Sequence, residues 1–161
     1  MEVTAAIALG SNLGDSAQIL RGALLALDRV EGLKVVASSP WYRTAPVGPP
    51  QPDYLNGCAL LKTTLDPEDL LNHLLGIEQQ FGRVRRERWG PRSLDLDLLF
   101  YGDRTLDLPH LTLPHPRMGD RPFVLVPLAD IAPHWQHPHQ GETVIQRLAQ
   151  LDCQGVELFD P

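Results

Sequence analysis

The sequence predicts an α+β fold whose elements run β-α-β-β-α-β, with an antiparallel sheet covered by helices and a C-terminal extension. Three observations carry this. Residues 16–31 and 67–81 repeat apolar side chains at helical spacing between recognisable caps. Residues 3–9, 33–42, 55–63 and 94–101 are short apolar or alternating runs bounded by glycine, proline and polar turns. Between the second and third of these runs lies only a proline-rich loop, so two strands follow one another without a helix.

The first strand, 3–9, is an apolar run closed by Gly10-Ser11-Asn12-Leu13-Gly14-Asp15, a tight turn into a helix capped by Asp15. Leu20, Ala23, Leu24, Leu27 and Val30 give that helix its apolar stripe, and Gly32 is its expected C-terminal cap. The turn is not a Walker A loop, because the Lys-Ser/Thr ending that reaches phosphates and magnesium is missing. Residues 33–42 read as the second strand, 46–52 as loop and 55–63 as the third strand. Asp66, Pro67, Glu68 and Asp69 then supply an N-cap, a proline at the first helical position and first-turn acids. Leu70, Leu74, Ile77 and Phe81 form the buried stripe, and Gly82 ends the helix. The fourth strand, 94–101, completes the order of ferredoxin-like folds. Beyond it, residues 102–120 show several prolines and little periodicity, and 123–128 read as a short ordered segment. A short helix near 143–151 and a terminal strand near 156–159 complete the chain.

With 161 residues, the chain is expected to form one domain, 1–161, and to bury roughly 70% of the surface exposed when unfolded. Cys58 and Cys153 form no disulfide framework or zinc pattern, which fits a reduced cytoplasm. The N-terminal apolar run stops at Gly10, too short for a signal or membrane segment, so no membrane association is expected. A net charge of −6 argues against a broad nucleic-acid surface. It leaves room for a local basic site: Arg83, Arg85, Arg86, Arg88 and Arg92 fall within ten positions, and arginine's planar fork suits phosphate oxygens.

The chemistry concentrates just downstream. Leu94, Leu96, Leu98 and Phe100 alternate as one buried strand face, so Asp95 and Asp97 point together to the other. Aspartate has poor strand propensity and adjacent like charges repel, so a purely structural account does not explain the pair. A divalent cation does: the two Cα atoms would lie roughly 6.5–7 Å apart, close enough for both carboxylates to converge on one or two Mg²⁺ ions. Arginines beside such a metal site are what transfer of a phosphorus group requires. By contrast, His134, His137 and His139 lie among prolines and read as a surface loop rather than a metal tract. Trp41, Trp89 and Trp135 read as core or covering residues, and His115, between Pro114 and Pro116, as a polar contact at a site.

The run Arg88-Trp-Gly-Pro-Arg-Ser-Leu-Asp-Leu-Asp-Leu-Leu99 resembles the signature of the 6-hydroxymethyl-7,8-dihydropterin pyrophosphokinases of folate biosynthesis. The resemblance extends over Gly10-Ser-Asn-Leu-Gly-Asp15, Tyr42-Arg-Thr-Ala-Pro46, Tyr54-Leu-Asn56, Ile77-Glu78, Gly82-Arg-Val-Arg85, Leu113-Pro-His-Pro-Arg-Met118 and Arg121-Pro-Phe123. It implies an enzyme that transfers the terminal pyrophosphate of ATP to the pterin hydroxymethyl oxygen and releases AMP, with two Mg²⁺ ions. It assigns Asp95 and Asp97 to the metals and Arg83 and Arg92 to the phosphates as catalytic arginines. It places Thr44 and Pro46 at the pterin pocket, with the ring stacked between Tyr54 and Phe123 and hydrogen-bonded through Asn56. Glu78, Arg85, Trp89, Thr112, His115 and Arg121 match positions that bind ATP or shape its site. His110 and Pro116 stand where the family often carries a basic residue and a tyrosine. A cytoplasmic monomer acting on small molecules is expected. Residues 44–53 and 82–88 are candidate lids.

The rival readings are a magnesium-dependent hydrolase or ordinary kinase using the same aspartates, and a ferredoxin-like module that only binds. ADP rather than AMP as product marks the first. Paired aspartates beside many arginines argue against the second.

Overall fold

A computed structural model describes residues 1–45, 50–82 and 93–159. Its strands and helices are β1 (Val3–Ser11), α1 (Ser16–Asp28), β2 (Leu33–Ser38), β3 (Tyr42–Thr44), β4 (Tyr54–Thr63), α2 (Pro67–Gln80), β5 (Asp95–Tyr101), β6 (Leu106–Leu108), β7 (Leu111–Leu113), α3 (Pro122–Ile131), α4 (Val144–Leu148) and β8 (Glu157–Leu158). The main sheet runs β5-β1-β4-β3-β8, with β2 also paired to β4, and the pairings recorded within it are all antiparallel. Helices cover both faces, so the expected α+β arrangement is present together with a C-terminal extension. None of the described helices is long and apolar enough to cross a membrane.

The sheet separates two apolar clusters. On one side Ala5, Ile7 and Leu9 of β1 and Leu96 and Leu98 of β5 meet Leu20 and Leu27 of α1 and Leu70 and Leu74 of α2. On the other, Ala6, Cys58, Leu99 and Phe100 meet Val124, Leu125 and Leu128 of α3 and Val144 of α4. Both helical N-caps read from sequence are made: Asp15 accepts from Gln18 N at 3.3 Å and Asp66 from Asp69 N at 2.8 Å. Cys58 and Cys153 are free thiols.

Several expectations are corrected. The predicted strand 33–42 is two strands lying end to end along β4, separated at Pro40, which has no N–H for a ladder. Ser39 bridges the break, its backbone N–H donating to Cys58 O and its Oγ accepting from Cys58 N, both at 2.9 Å. β1 does not end before Gly10 but continues through Ser11. Helix α1 ends at Asp28, with Arg29 as its C-cap; Gly32, at φ +84°, serves the turn into β2 instead.

Phe100 does not continue the face of Leu94, Leu96 and Leu98. Ile7 pairs with Leu98 while Ala6 pairs with Phe100, so Leu99 is an extra residue in β5 and the alternation reverses there. Phe100 joins the α3 cluster, where Trp135 stacks on it at 4.1 Å between centroids and 5° between planes. Residues 102–120, read from sequence as irregular, contain the β6–β7 hairpin and a 3₁₀ turn at Met118–Asp120. The ordered segment at 123–128 is the helix α3, which starts with Pro122 at its first position. α4 has a complete capping box between Thr143 and Gln146.

Candidate active site

The α3 face of the sheet is not fully covered. Ala8 lies in β1, paired to β4 on one side and β5 on the other, yet it is half-buried rather than buried. An alanine in that position can meet solvent only where the layer above is open. Asp95, Asp97, Tyr54, His115, Arg121 and Phe123 are likewise half-buried.

The strand register aligns the floor of this cleft. One row across three strands is Asp95, Gly10 and Asn56, continued by Tyr42 of β3; the next is Asp97, Ala8 and Cys58. Residues paired across strands share a face, and β5 keeps strict alternation up to its bulge, so both carboxylates point into the cleft as the sequence predicts. Between them and β4 the floor is a hydrogen atom at Gly10 and a methyl group at Ala8. Position 10 has no room for a side chain: a Cβ on Gly10 would lie 2.8 Å from Asn56 Oδ1 and 3.8 Å from Tyr54 Cδ1. Asn56 therefore leans over Gly10 in the direction of Asp95. It is nine-tenths buried, at 8% exposure, and its Nδ2 donates to Thr44 Oγ1 at 2.8 Å. This bond leaves Oδ1 as the acceptor face of the amide in the cleft.

The opposite wall comes from the start of α3 and the segment before it. Arg121 is the N-cap of α3, Phe123 lies in its first turn, and the Arg121 guanidinium sits 5.7 Å from the Phe123 ring centroid. Pro127 offers no N–H to the Phe123 carbonyl four residues back, so this helix has one hydrogen bond fewer at its site end. His115 follows the cis Leu113–Pro114 bond; its backbone N–H donates to Leu99 O at 2.8 Å, tying the segment to β5, and its Nδ1 accepts from Arg117 N at 3.2 Å. Burial, then the charges of Arg121 and Arg117, push its pKa down to about 4, with Asp95 pulling the other way. The ring is thus neutral near pH 7 and lies within the fields of both the arginines and the carboxylate. Thr112 is half-buried on β7, the strand that leads to Pro114.

Glu78, on α2 behind the sheet, is buried at 2% exposure, and its Oε2 accepts from Leu96 N at 2.7 Å. It meets the outer edge of β5 between the two aspartates, from the α2 side. At the cleft mouth Asn12, also 2% exposed, donates from Nδ2 to Gln51 Oε1 at 2.8 Å and to Pro52 O at 2.9 Å. These bonds fasten the end of the 44–53 loop to the β1–α1 turn. Pro46, Arg83, Arg85, Trp89 and Arg92 lie outside the described residues, with residues 46–49 of the first candidate lid and 83–88 of the second.

These described residues share one cleft: Asp95 and Asp97 at one end, Asn56, Thr44 and Tyr54 at the other, Phe123, Arg121 and His115 above. Sequence reading missed the role of Gly10, taken as the end of a strand. A glycine within a strand marks close approach of another group, and that is the signal it carried. His134, His137 and His139 stay outside the site. Nδ1 of His137 accepts from His139 N and Gln140 N, both at 3.2 Å, so the tract is a self-bonded turn, and the described residues contain no group of three or more metal-ligating side chains.

This arrangement has known counterparts. Residues 6–133 match the family model of 7,8-dihydro-6-hydroxymethylpterin-pyrophosphokinase. The chain is 55% identical over 152 residues to a 2-amino-4-hydroxy-6-hydroxymethyldihydropteridine pyrophosphokinase of Synechocystis sp., covering 94% of this chain and 78% of that protein. The enzyme of the same name from Pseudomonas aeruginosa is 47% identical over 152 residues, covering 94% and 93%. Among solved structures, the Plasmodium falciparum HPPK-DHPS wild type with pteroate superposes with a TM-score of 0.76 at 16% identity, over 93% of this chain and 42% of that one. That likeness concerns the fold, and the chain spans less than half of that longer protein. The family match over 128 residues and the two closely similar relatives settle the affiliation: this chain belongs to the 7,8-dihydro-6-hydroxymethylpterin-pyrophosphokinase family.

Proposed function

We propose that this chain transfers the terminal diphosphate of ATP to the hydroxymethyl oxygen of 6-hydroxymethyl-7,8-dihydropterin, releasing AMP and the pterin diphosphate, as a step of folate biosynthesis. The observation that carries the reading is the single sheet row in which Asp95, Gly10 and Asn56 are neighbours. A carboxylate and an amide two strands apart on one open face support a phosphate end at Asp95 and a heterocycle end at Asn56.

In this reading the pterin lies over Gly10, its flat ring between Tyr54 and Phe123, with Asn56 Oδ1 accepting from a ring N–H. Thr44 holds the amide in that orientation by taking its Nδ2–H. The resemblance adds Pro46 to this pocket. ATP lies toward His115, Thr112 and Arg121, with Arg85 and Trp89 completing its site. Glu78 shapes that site indirectly, through β5.

The donor set fits Mg²⁺. Two carboxylates on one strand face, at the edge of an open cleft, match an ion that keeps several waters and is held by one or two carboxylates plus substrate phosphates. Asp95 and Asp97 would hold two such ions, which when bound supply charge neutralisation at the phosphates. The remaining work is positioning and charge: the resemblance gives Arg83 and Arg92 the role of offsetting charge on the transferred group, and the stacked ring holds the hydroxymethyl oxygen in line with the β-phosphorus. The neutral His115 can donate or accept a hydrogen bond to a phosphate or ribose oxygen without adding charge.

Incubation of the protein with ATP, Mg²⁺ and the reduced hydroxymethylpterin tests the reading directly. AMP and pterin diphosphate should appear in equal amounts. ADP as the stoichiometric product would overturn it.

A further inference from the structure

Beside the substrate contacts lies a bond that touches none of them. The Tyr42 hydroxyl donates to Asp130 Oδ2 at 2.5 Å, joining β3 to the last turn of α3. Tyr42 is the fourth member of the floor row, paired directly with Asn56, and shares its face of β3 with Thr44, two residues on. Tyr42, Thr44 and Asn56 are thus one contiguous patch of sheet. Asp130 and Phe123 are on the same helix, seven residues or roughly 10 Å apart along its axis. The bond therefore fastens the floor patch of the cleft to the helix that carries the opposing ring.

Resting on the reading that Asn56, Tyr54 and Phe123 take the pterin, we propose that Tyr42 is a positioning residue whose bond to Asp130 fixes α3 relative to β3 and so sets the width of the pterin slot. The other contacts of α3 are mostly apolar. Val124, Leu125 and Leu128 press it onto Cys58 and Ala6 with one weak thiol bond, Cys58 Sγ donating to Val124 O at 3.5 Å, and apolar burial is non-directional, so it resists lifting more than sliding or pivoting. At its site end, the helix lacks the hydrogen bond that Pro127 cannot make, and Arg121 makes no side-chain cap. β3 itself is only three residues long, held by β4 on one side and by the two-residue β8 on the other. A short, charge-assisted, directional bond between two such elements defines their spacing. Burial and the neighbouring Asp130 carboxylate hold the Tyr42 pKa up at about 12, so the hydroxyl remains a donor across the working pH range.

A surface-facing pair of this kind adds little to global stability, whereas a stacked ring tolerates little change in slot width. The two roles thus separate in measurement. Tyr42→Phe, Asp130→Ala and the double variant are compared with the parent for kcat, pterin KM, ATP KM and melting temperature, with Asn56→Ala alongside. Either single change should raise the pterin KM about 5- to 10-fold with ATP KM within about twofold, and the double variant should match the singles, because both remove one bond. Asp130→Asn, which keeps an acceptor, should recover part of the loss. An unchanged pterin KM in Tyr42→Phe, additive effects in the double variant, or a parallel rise in both KM values with a lowered melting temperature would each overturn the proposal. Asn56→Ala tells the two levels apart. If it weakens pterin binding while Tyr42→Phe does not, only the brace fails; if it too leaves the pterin KM unchanged, the pocket assignment fails and takes the brace with it.

Discussion

The buried carboxylate of Glu78 accepts the backbone N–H of Leu96, the residue between Asp95 and Asp97, at 2.7 Å. Among the described strands β5 is an edge paired with β1, and this N–H points away from β1 to the Glu78 carboxylate of α2. A side chain thus supplies the ladder partner that an edge lacks, at the one residue flanked by both acids. Glu78→Ala should cost at least about 1–3 kcal/mol of stability, since it strands a buried donor, while Glu78→Gln should recover much of it by keeping an acceptor. Chemical denaturation of the two variants checks this. Equal stability in Glu78→Ala and the parent would mean that the bond does not hold β5.

Gly10→Ala tests the gap in the floor. The added methyl group would lie 2.8 Å from Asn56 Oδ1, and Asn56 cannot simply rotate away because its Nδ2 is held by Thr44. We expect the pterin KM to rise about tenfold, with a stability loss of about 1 kcal/mol from the strained contact. Steady-state kinetics with each substrate varied in turn provides the measurement. A larger effect on ATP than on pterin would place Asn56 at the wrong end of the cleft.

His115 gives a pH signature. Its folded pKa of about 4 lies below the ordinary histidine value of 6.5, so between these values the unfolded chain binds a proton that the folded one rejects. Stability is therefore fully present above about pH 6.5 and declines as pH falls toward 4, by ~2 kcal/mol after allowance for the ring's partial exposure. His115→Gln should flatten that part of the stability curve. Urea midpoints at pH 7, 5.5 and 4.5 for both proteins reveal the difference, and parallel curves would show that the ring is not held neutral.

How much of this was legible from the chain depends on the length scale of each signal. The two-residue period of a strand puts Asp95 and Asp97 on one face whatever the fold, so that placement needed only local pattern. The reversal at Phe100 did not, because the extra residue Leu99 is apolar like its neighbours and only the pairing with Ala6 and Ile7 exposes it. Helix α3 was hidden for another reason: it is apolar on nearly every side, β-branched and interrupted by Pro127, so no 3.6-residue stripe stands out, although Pro122 marks its start. Asn56, Tyr54 and Phe123 came from the resemblance alone. No spacing rule brings residues 56 and 123 to one cleft; the register of β4 against β1 and the packing of α3 do.

Asp95 and Asp97 carry the sharpest test. Side by side on β5, they are paired with a strand that contributes only Gly10 and Ala8 at those positions. Both are half-buried at the open face, so replacement by asparagine should keep the fold, with a melting temperature within a few degrees of the parent. Function should respond very differently. With the two acids holding Mg²⁺ as proposed, losing one ligand should lower kcat by on the order of 10³ or more, and the Mg²⁺ concentration for half-maximal rate should rise in each variant. Asp95→Asn and Asp97→Asn are measured at several Mg²⁺ concentrations with AMP release as readout. Turnover at the parental rate in either folded variant would remove that residue from the metal site, and in both would mean that the paired acids of β5 serve another purpose.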